Sequence, residues 1–170
     1  MHEVLATAEA AWYGPAMSRH RALFLDWGGT LALTRDNRTV VDADGNPVLM
    51  PGVAEILPRV RPDFDACFIV SNQARVAQGE ITAVEVLRRF AWANDRLGGP
   101  FTDWRLCPHT DQDGCACRKP RPGMFLELAA LHAVDLASST HVGNADKDRE
   151  AAAAAGVGTF VWAHDFFGWR

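Results

Sequence analysis

The chain has 170 residues, enough for one domain with a substantial core, and the composition of an ordinary soluble globular protein. A formal net charge of −4 provides no basic footprint, which disfavours nucleic acid as an electrostatic partner. No apolar run approaches the ~20 residues that span a bilayer, and the opening MHEVLATAEAAWYGPAM has no basic region ahead of an apolar core, so neither a membrane span nor a signal peptide is expected and the expected location is cytoplasmic.

Residues 1–20 are expected to form an N-terminal extension, with a single domain over 21–170. RALFLDW (21–27) predicts a short buried strand ending at Asp26. Turn-formers around TVV in 28–50 suit a small hairpin or flap, and DADG at 42–45 reads as a turn. PGVAEILPRV has helical spacing at Val53, Ile56, Leu57 and Val60 behind Pro51. DACFIVSN predicts a second buried strand, with Cys67 as a small core residue. The segment from Ile81 to Gly99 carries the clearest helix pattern of the chain, with Thr82 as N-cap and Gly98 as C-terminal stop. DWRLCPH is a third strand, RPGMFLELAALHAV a helix from near Pro122, STHVGN a fourth strand, DREAAAAAG a helix stopped by Gly156, and GTFVWAH a fifth strand. Strands alternating with helices predict an α/β fold, a Rossmann-like three-layer sandwich around a parallel sheet. His20, His132, His141 and His164 lack paired ligand spacing and are expected to be structural or surface residues.

Ligands of such sheets bind beyond the carboxyl ends of the strands. Polar groups fall at four of those ends: Asp26, Ser71 with Asn72, Cys107 with His109, and Asn144. Cys107, His109, Cys115 and Cys117 form two close pairs that can supply four soft ligands to a tetrahedral ion. A disulfide within the cluster, or free thiols, are the alternatives. Asp111 and Asp113 resemble a fragment of a calcium loop whose remainder is missing.

Four motifs in order resemble the haloacid dehalogenase (HAD) superfamily, in its capless form. FLDWGGTL is similar to the nucleophile motif, IVSNQ to the second, CRKPRPGM to the third and HVGNADKD to the fourth. The C-x-H-x5-C-x-C loop is similar to the zinc loop of the histidinol-phosphate and heptose-bisphosphate phosphatase subgroup. The resemblance spans roughly residues 21–163. It implies a Mg²⁺-dependent phosphatase-like hydrolase of a small phosphorylated metabolite, with structural Zn²⁺ on Cys107, His109, Cys115 and Cys117.

In that resemblance Asp26 is the nucleophile, and forms an aspartyl-phosphate that splits one hard displacement into two easier ones. A dianionic phosphate repels a carboxylate, so Mg²⁺ is needed between them, held by Asp26, the backbone carbonyl of Gly28, Asn144 and Asp148. Asp148 is also expected to orient Lys119 or a metal-bound water. Ser71, Asn72 and the turn at Gly29 and Thr30 are expected to hold phosphate oxygens. Lys119 pairs with Asp26 and the phosphoryl group, and Arg118 is a further anion contact.

Two positions depart from the pattern. Gly28 stands where active relatives carry an acid that protonates the leaving alcohol and then activates water; losing such a group costs ~10²–10⁴ in rate. Asn144 replaces the usual aspartate and removes a negative charge from the metal site. Altered or reduced activity is therefore expected. The alternative is a catalytically inactive module that binds a phosphate ligand or a protein partner.

Overall fold

The computed structural model describes residues 20–169. Apart from His20, the expected N-terminal extension lies outside the described residues. His20 is tied to the fold by its backbone, its N–H donating to Ala133 O and its carbonyl accepting from Asp135 N, both at 2.9 Å.

In chain order the elements are β1 (Ala22–Leu25), β2 (Thr34–Arg35), β3 (Arg38–Thr39), α1 (Val53–Val60), β4 (Ala66–Asn72), α2 (Ala83–Arg96), β5 (Asp103–Cys107), α3 (Gly123–His132), β6 (Thr140–Gly143), α4 (Asp146–Ala155), β7 (Thr159–Trp162) and α5 (Ala163–Phe167). The main sheet runs β5-β4-β1-β6-β7, with every neighbouring pair parallel. The three strands carrying Asp26, Ser71 and Asn144 at or just past their ends are thus the central three. β2 and β3 make an antiparallel hairpin whose two linking residues, Asp36 and Asn37, have φ of 51° and 58°. Short polar side chains tolerate that left-handed geometry better than most.

Alternation along the strands explains the three layers. Leu23 and Leu25 of β1 and Cys67 and Ile69 of β4 face one core with α1, α2 and α5. Ala22 and Phe24, with Ala66, Phe68 and Val70, face the other with α3 and α4. Apolar residues on both faces are what a buried parallel sheet demands. Thr82 caps α2 as expected, accepting from Glu85 N at 3.1 Å, and Gly156 ends α4 with φ 79°. DADG is a turn in which Asp42 Oδ1 accepts from the N–H groups of Asp44 and Asn46.

One element differs from expectation. GTFVWAH does not stay extended to His164: β7 stops at Trp162 and α5 begins at Ala163. Ala163 and Phe167 are about one helical turn apart and both buried, so the short helix sets both against the core, and Gly168, at φ 70°, ends it. No helix among the described residues is long and apolar enough to cross a membrane.

Candidate active site and metal-ligand cluster

β1 is the strand from which the chain first builds outward through β4 and β5, then returns to build β6 and β7 on the other side. The crevice of a doubly wound sheet opens at such a reversal. Here it holds a cavity of about 410 Å³ lined by Asp26, Trp27 and Gly28 after β1, Thr34, Asn37 and Thr39 of the hairpin, Ser71 to Arg75 at and beyond the end of β4, and Arg89, Arg118, Asn144 and Lys147. Among the described lining residues Asp26 is the sole carboxylate, against four cationic side chains.

Beneath the floor lies a buried ion cluster. Lys119 Nζ is 2.7 Å from Asp26 Oδ1, 2.7 Å from Asp148 Oδ1 and 2.8 Å from Val70 O. Three oxygens match the three protons of an ammonium. Burial acts to lower the lysine pKa, but the two carboxylates outweigh it and hold it above its usual value. Burial pushes the Asp26 carboxyl up to about 6, against the pull of Lys119. For Asp148 burial acts upward too, yet Lys119 and nearby donors hold it below the usual carboxylate range.

The sequence-predicted residues divide accordingly. Asp26, Gly28, Ser71, Asn72, Arg118 and Asn144 line the cavity. Ser71 Oγ accepts from Gln73 Nε2 at 2.9 Å, leaving its own proton to donate. Arg118 is held by Asp111 Oδ1 and His109 O. Asn72 reaches the cavity edge, but its amide is engaged on both sides with the backbone of Lys119, at 2.9 and 3.0 Å. Lys119 is beneath the floor and not in the lining; it orients Asp26 from behind. Asp148, expected near a metal, faces inward with no exposure: its Oδ2 accepts from Asn144 N and Ala145 N at 3.1 and 3.0 Å. Thr30, expected at the phosphate, is fully buried because the turn after Trp27 folds it under. The Gly29 N–H already donates to Ala32 O at 2.8 Å.

Asn144 sits at the mouth. The outer atom of its amide lies 3.3 Å from Asp26 Oδ2 and 3.2 Å from Gly28 O. With oxygen in that place, three oxygens converge with no hydrogen between them. Their spacing is close to the ~3 Å edge of an octahedron around Mg²⁺ at ~2.0–2.1 Å. That donor set, hard oxygens with one formal charge, fits a divalent cation.

Sequence reasoning did not find three supporting features. Thr34 Cγ2 stands 3.2 Å from where a Cβ on Gly28 would lie, a contact across the hairpin that no local pattern shows. A Cβ on Gly143 would meet Asp148 Cβ at 2.5 Å, so this glycine lets the inward carboxylate approach the strand end. The carbonyl of Val70 completes the lysine's shell. The glycine of HVGN was the one available signal.

The second candidate centre is the loop after β5. The ligand atoms of Cys107, His109, Cys115 and Cys117 all lie within 4.8 Å of one another. Sγ of Cys115 is 3.6 Å from Sγ of Cys107 and 3.5 Å from Sγ of Cys117, while His109 Nδ1 is 3.6 and 3.3 Å from the Cys107 and Cys117 sulfurs. A disulfide needs ~2.05 Å. Tetrahedral zinc–sulfur bonds of ~2.3 Å give edges of ~3.7 Å, so four soft atoms at these spacings fit zinc with no open position. Gly123 lets this loop lie on the start of α3, where a Cβ would meet Ala116 O.

No family model matches the chain. The D-glycero-beta-D-manno-heptose-1,7-bisphosphate 7-phosphatase of Bordetella bronchiseptica is 31% identical over 144 residues, covering 83% of this chain and 79% of that one. The enzyme of the same name from Rhodopseudomonas palustris is 34% identical over 152 residues, covering 84% and 83%. Among solved structures, the crystal structure of the D,D-heptose 1.7-bisphosphate phosphatase from B. bronchiseptica, complexed with magnesium and phosphate, superposes with a TM-score of 0.72 at 29% identity, covering 82% of this chain and 78% of that one.

Proposed function

The chain belongs to the HAD superfamily, in the branch of the heptose-bisphosphate phosphatases, and from that premise we propose that it acts on a small phosphorylated metabolite through an aspartyl-phosphate on Asp26, without a carboxylate acid/base. The observation that carries this reading is Asp26, the single carboxylate among the described residues of the cavity, held from behind by buried Lys119. Pairing with an ammonium keeps Asp26 charged for attack, and burial strips the water that would blunt it.

The cavity suits a phosphate monoester. Ser71 offers a hydroxyl donor, and Arg118 and Lys147 supply positive charge at the rim. Asp26, Gly28 O and Asn144 Oδ1 are the atoms that would hold a Mg²⁺, and the ion would supply neutralisation of the phosphate charge when bound. The zinc cluster holds the loop that carries Arg118 and leads into Lys119. Residues 21–169 act as one unit around this cavity.

Attack by the Asp26 carboxylate forms the O–P bond and breaks the bond from phosphorus to the leaving oxygen, which departs with the electron pair. At position 28 no group can protonate that oxygen or then activate water. The favoured substrates are therefore phosphates whose leaving oxygen is already stable as an anion. A second reading rests on the same absence: the fold retains the cavity as a phosphate-ligand or protein-binding module without turnover. Steady-state hydrolysis of an aryl phosphate with Mg²⁺, with mass spectrometry of Asp26, separates them. Turnover or a phosphorylated Asp26 supports the enzyme; neither, with phosphate still binding, supports the module.

A further inference from the structure

Asn144 can meet its neighbours in two ways, and they have opposite consequences. With the amide oxygen turned in, it joins Asp26 Oδ2 and Gly28 O as a third acceptor, and its nitrogen faces only donors. A cation among the oxygens would relieve their repulsion, while the nitrogen would still face donors, which weakens cation binding. With the nitrogen turned in, it donates to Asp26 Oδ2 at 3.3 Å and to Gly28 O at 3.2 Å. Two hydrogen bonds then link the turn after β1 to the loop after β6.

We propose that Asn144 is an internal substitute for the cation: its amide nitrogen closes the site in the metal-free chain, and a divalent cation enters only by turning the amide over. Two further observations support this. The Asn144 backbone is held, its N–H donating to Asp148 Oδ2 at 3.1 Å, while the residue as a whole is exposed. Gly29, at φ 74°, leaves the room the amide needs; a Cβ there would lie 2.2 Å from Asn144 Nδ2. An aspartate at 144 could not do this. It carries no N–H, and without a cation it would set a second carboxylate against Asp26. The replacement thus converts a site that needs its metal into one that is stable without it, at the expense of affinity.

The inference rests on the cation reading given above, and its test reads structure and binding instead of turnover. Side-chain amide resonances of ¹⁵N-labelled, zinc-loaded full chain are recorded in magnesium-free buffer and through a MgCl₂ titration, the Asn144 pair being assigned by its loss in Asn144→Asp. The expected result is a protected Asn144 amide without Mg²⁺, exchanging roughly tenfold or more slowly than that of exposed Asn37 and losing this protection as Mg²⁺ binds. Calorimetry should show Mg²⁺ binding to Asn144→Asp about tenfold or more tightly than to the parent. At the same Mg²⁺ concentration the Tm of Asn144→Asp should rise more than that of the parent. A metal-free amide exchanging as fast as that of Asn37 overturns the proposal with the cation site intact. No Mg²⁺ binding by either chain overturns both. The first outcome leaves the phosphatase reading untouched, and phosphorylation of Asp26 decides that reading separately.

Discussion

Thr34 stands in the space that a side chain at position 28 would enter, its Cγ2 3.2 Å from the Cβ position. Gly28 does not have a positive φ, so the backbone accepts an L-residue and only this methyl resists. Gly28→Asp alone should raise alkyl-phosphate turnover weakly. Gly28→Asp with Thr34→Ser, which keeps the hydroxyl and removes the methyl, should raise it by ~10²-fold or more. Matched kcat/KM values on alkyl and aryl phosphates check this; equal values for the single and double variants would show that Thr34 is no obstacle.

For the parent, activity should favour good leaving groups. Aryl and acyl phosphates should turn over while alkyl phosphates lag by ~10² or more, because nothing at position 28 protonates the departing oxygen. Asp26→Asn should remove all turnover, since an amide is not a competent nucleophile. Rapid-quench mass spectrometry should find phosphorylated Asp26 accumulating, as its hydrolysis also lacks a base.

Removing the buried ammonium should be costly. Lys119→Met leaves two buried carboxylates facing each other and should destabilise by ~3–5 kcal/mol in urea unfolding. Adding Asp26→Asn should recover part of that loss, because one stranded charge is gone. A simple sum of the two single effects would mean that the pair is not coupled.

Metal content gives an independent check. Protein prepared without a metal-binding tag should carry about one equivalent of zinc. Cys115→Ser should lose zinc and loosen the loop. Cys67→Ser should retain it, since Cys67 is buried on the other face of the sheet and its thiol is pushed up to about 12 by burial. Zinc-free parent protein would remove the structural role assigned to this cluster.

His141 makes stability depend on pH. Its ring is buried against Phe125 and Phe160, with Nδ1 3.2 Å from Phe24 O, and burial pushes its pKa down to about 3 from 6.5. Between those values the unfolded chain binds more protons, so stability falls as pH drops from about 6.5 toward about 3, by at most ~1.4 kcal/mol per unit. Asp26 has the opposite sign: its pKa is raised from 3.8 to about 6, so the folded chain binds more protons there and gains stability as pH falls through that range. His141→Phe leaves Asp26 unchanged, so the difference between the two denaturation curves isolates the histidine. The variant should lose less stability on acidification than the parent; parallel curves would show that His141 is not neutral in the fold.

The local order of elements was legible in the sequence because each rests on short-range chemistry. Apolar runs make buried strands, Thr82 caps a helix, Gly156 stops one, and the spacing of Cys107, His109, Cys115 and Cys117 survives any folding of the rest. The same is true of which strand ends carry polar groups. Tertiary structure decided which way those groups face. Asp148 and Lys119 share a motif-rich chain with Asp26, yet they are buried beneath the cavity because a charge that must leave water is tolerated only beside its partners. Asn72 turned to the backbone of Lys119, 47 residues away, to satisfy its amide, while Thr30 was carried under the turn by the backbone with its hydroxyl left without a partner. The meeting of Gly28 with Thr34 depends on how the turn after β1 runs into the hairpin, and that of Asn144 with Asp26 on two strands that only the assembled sheet sets side by side.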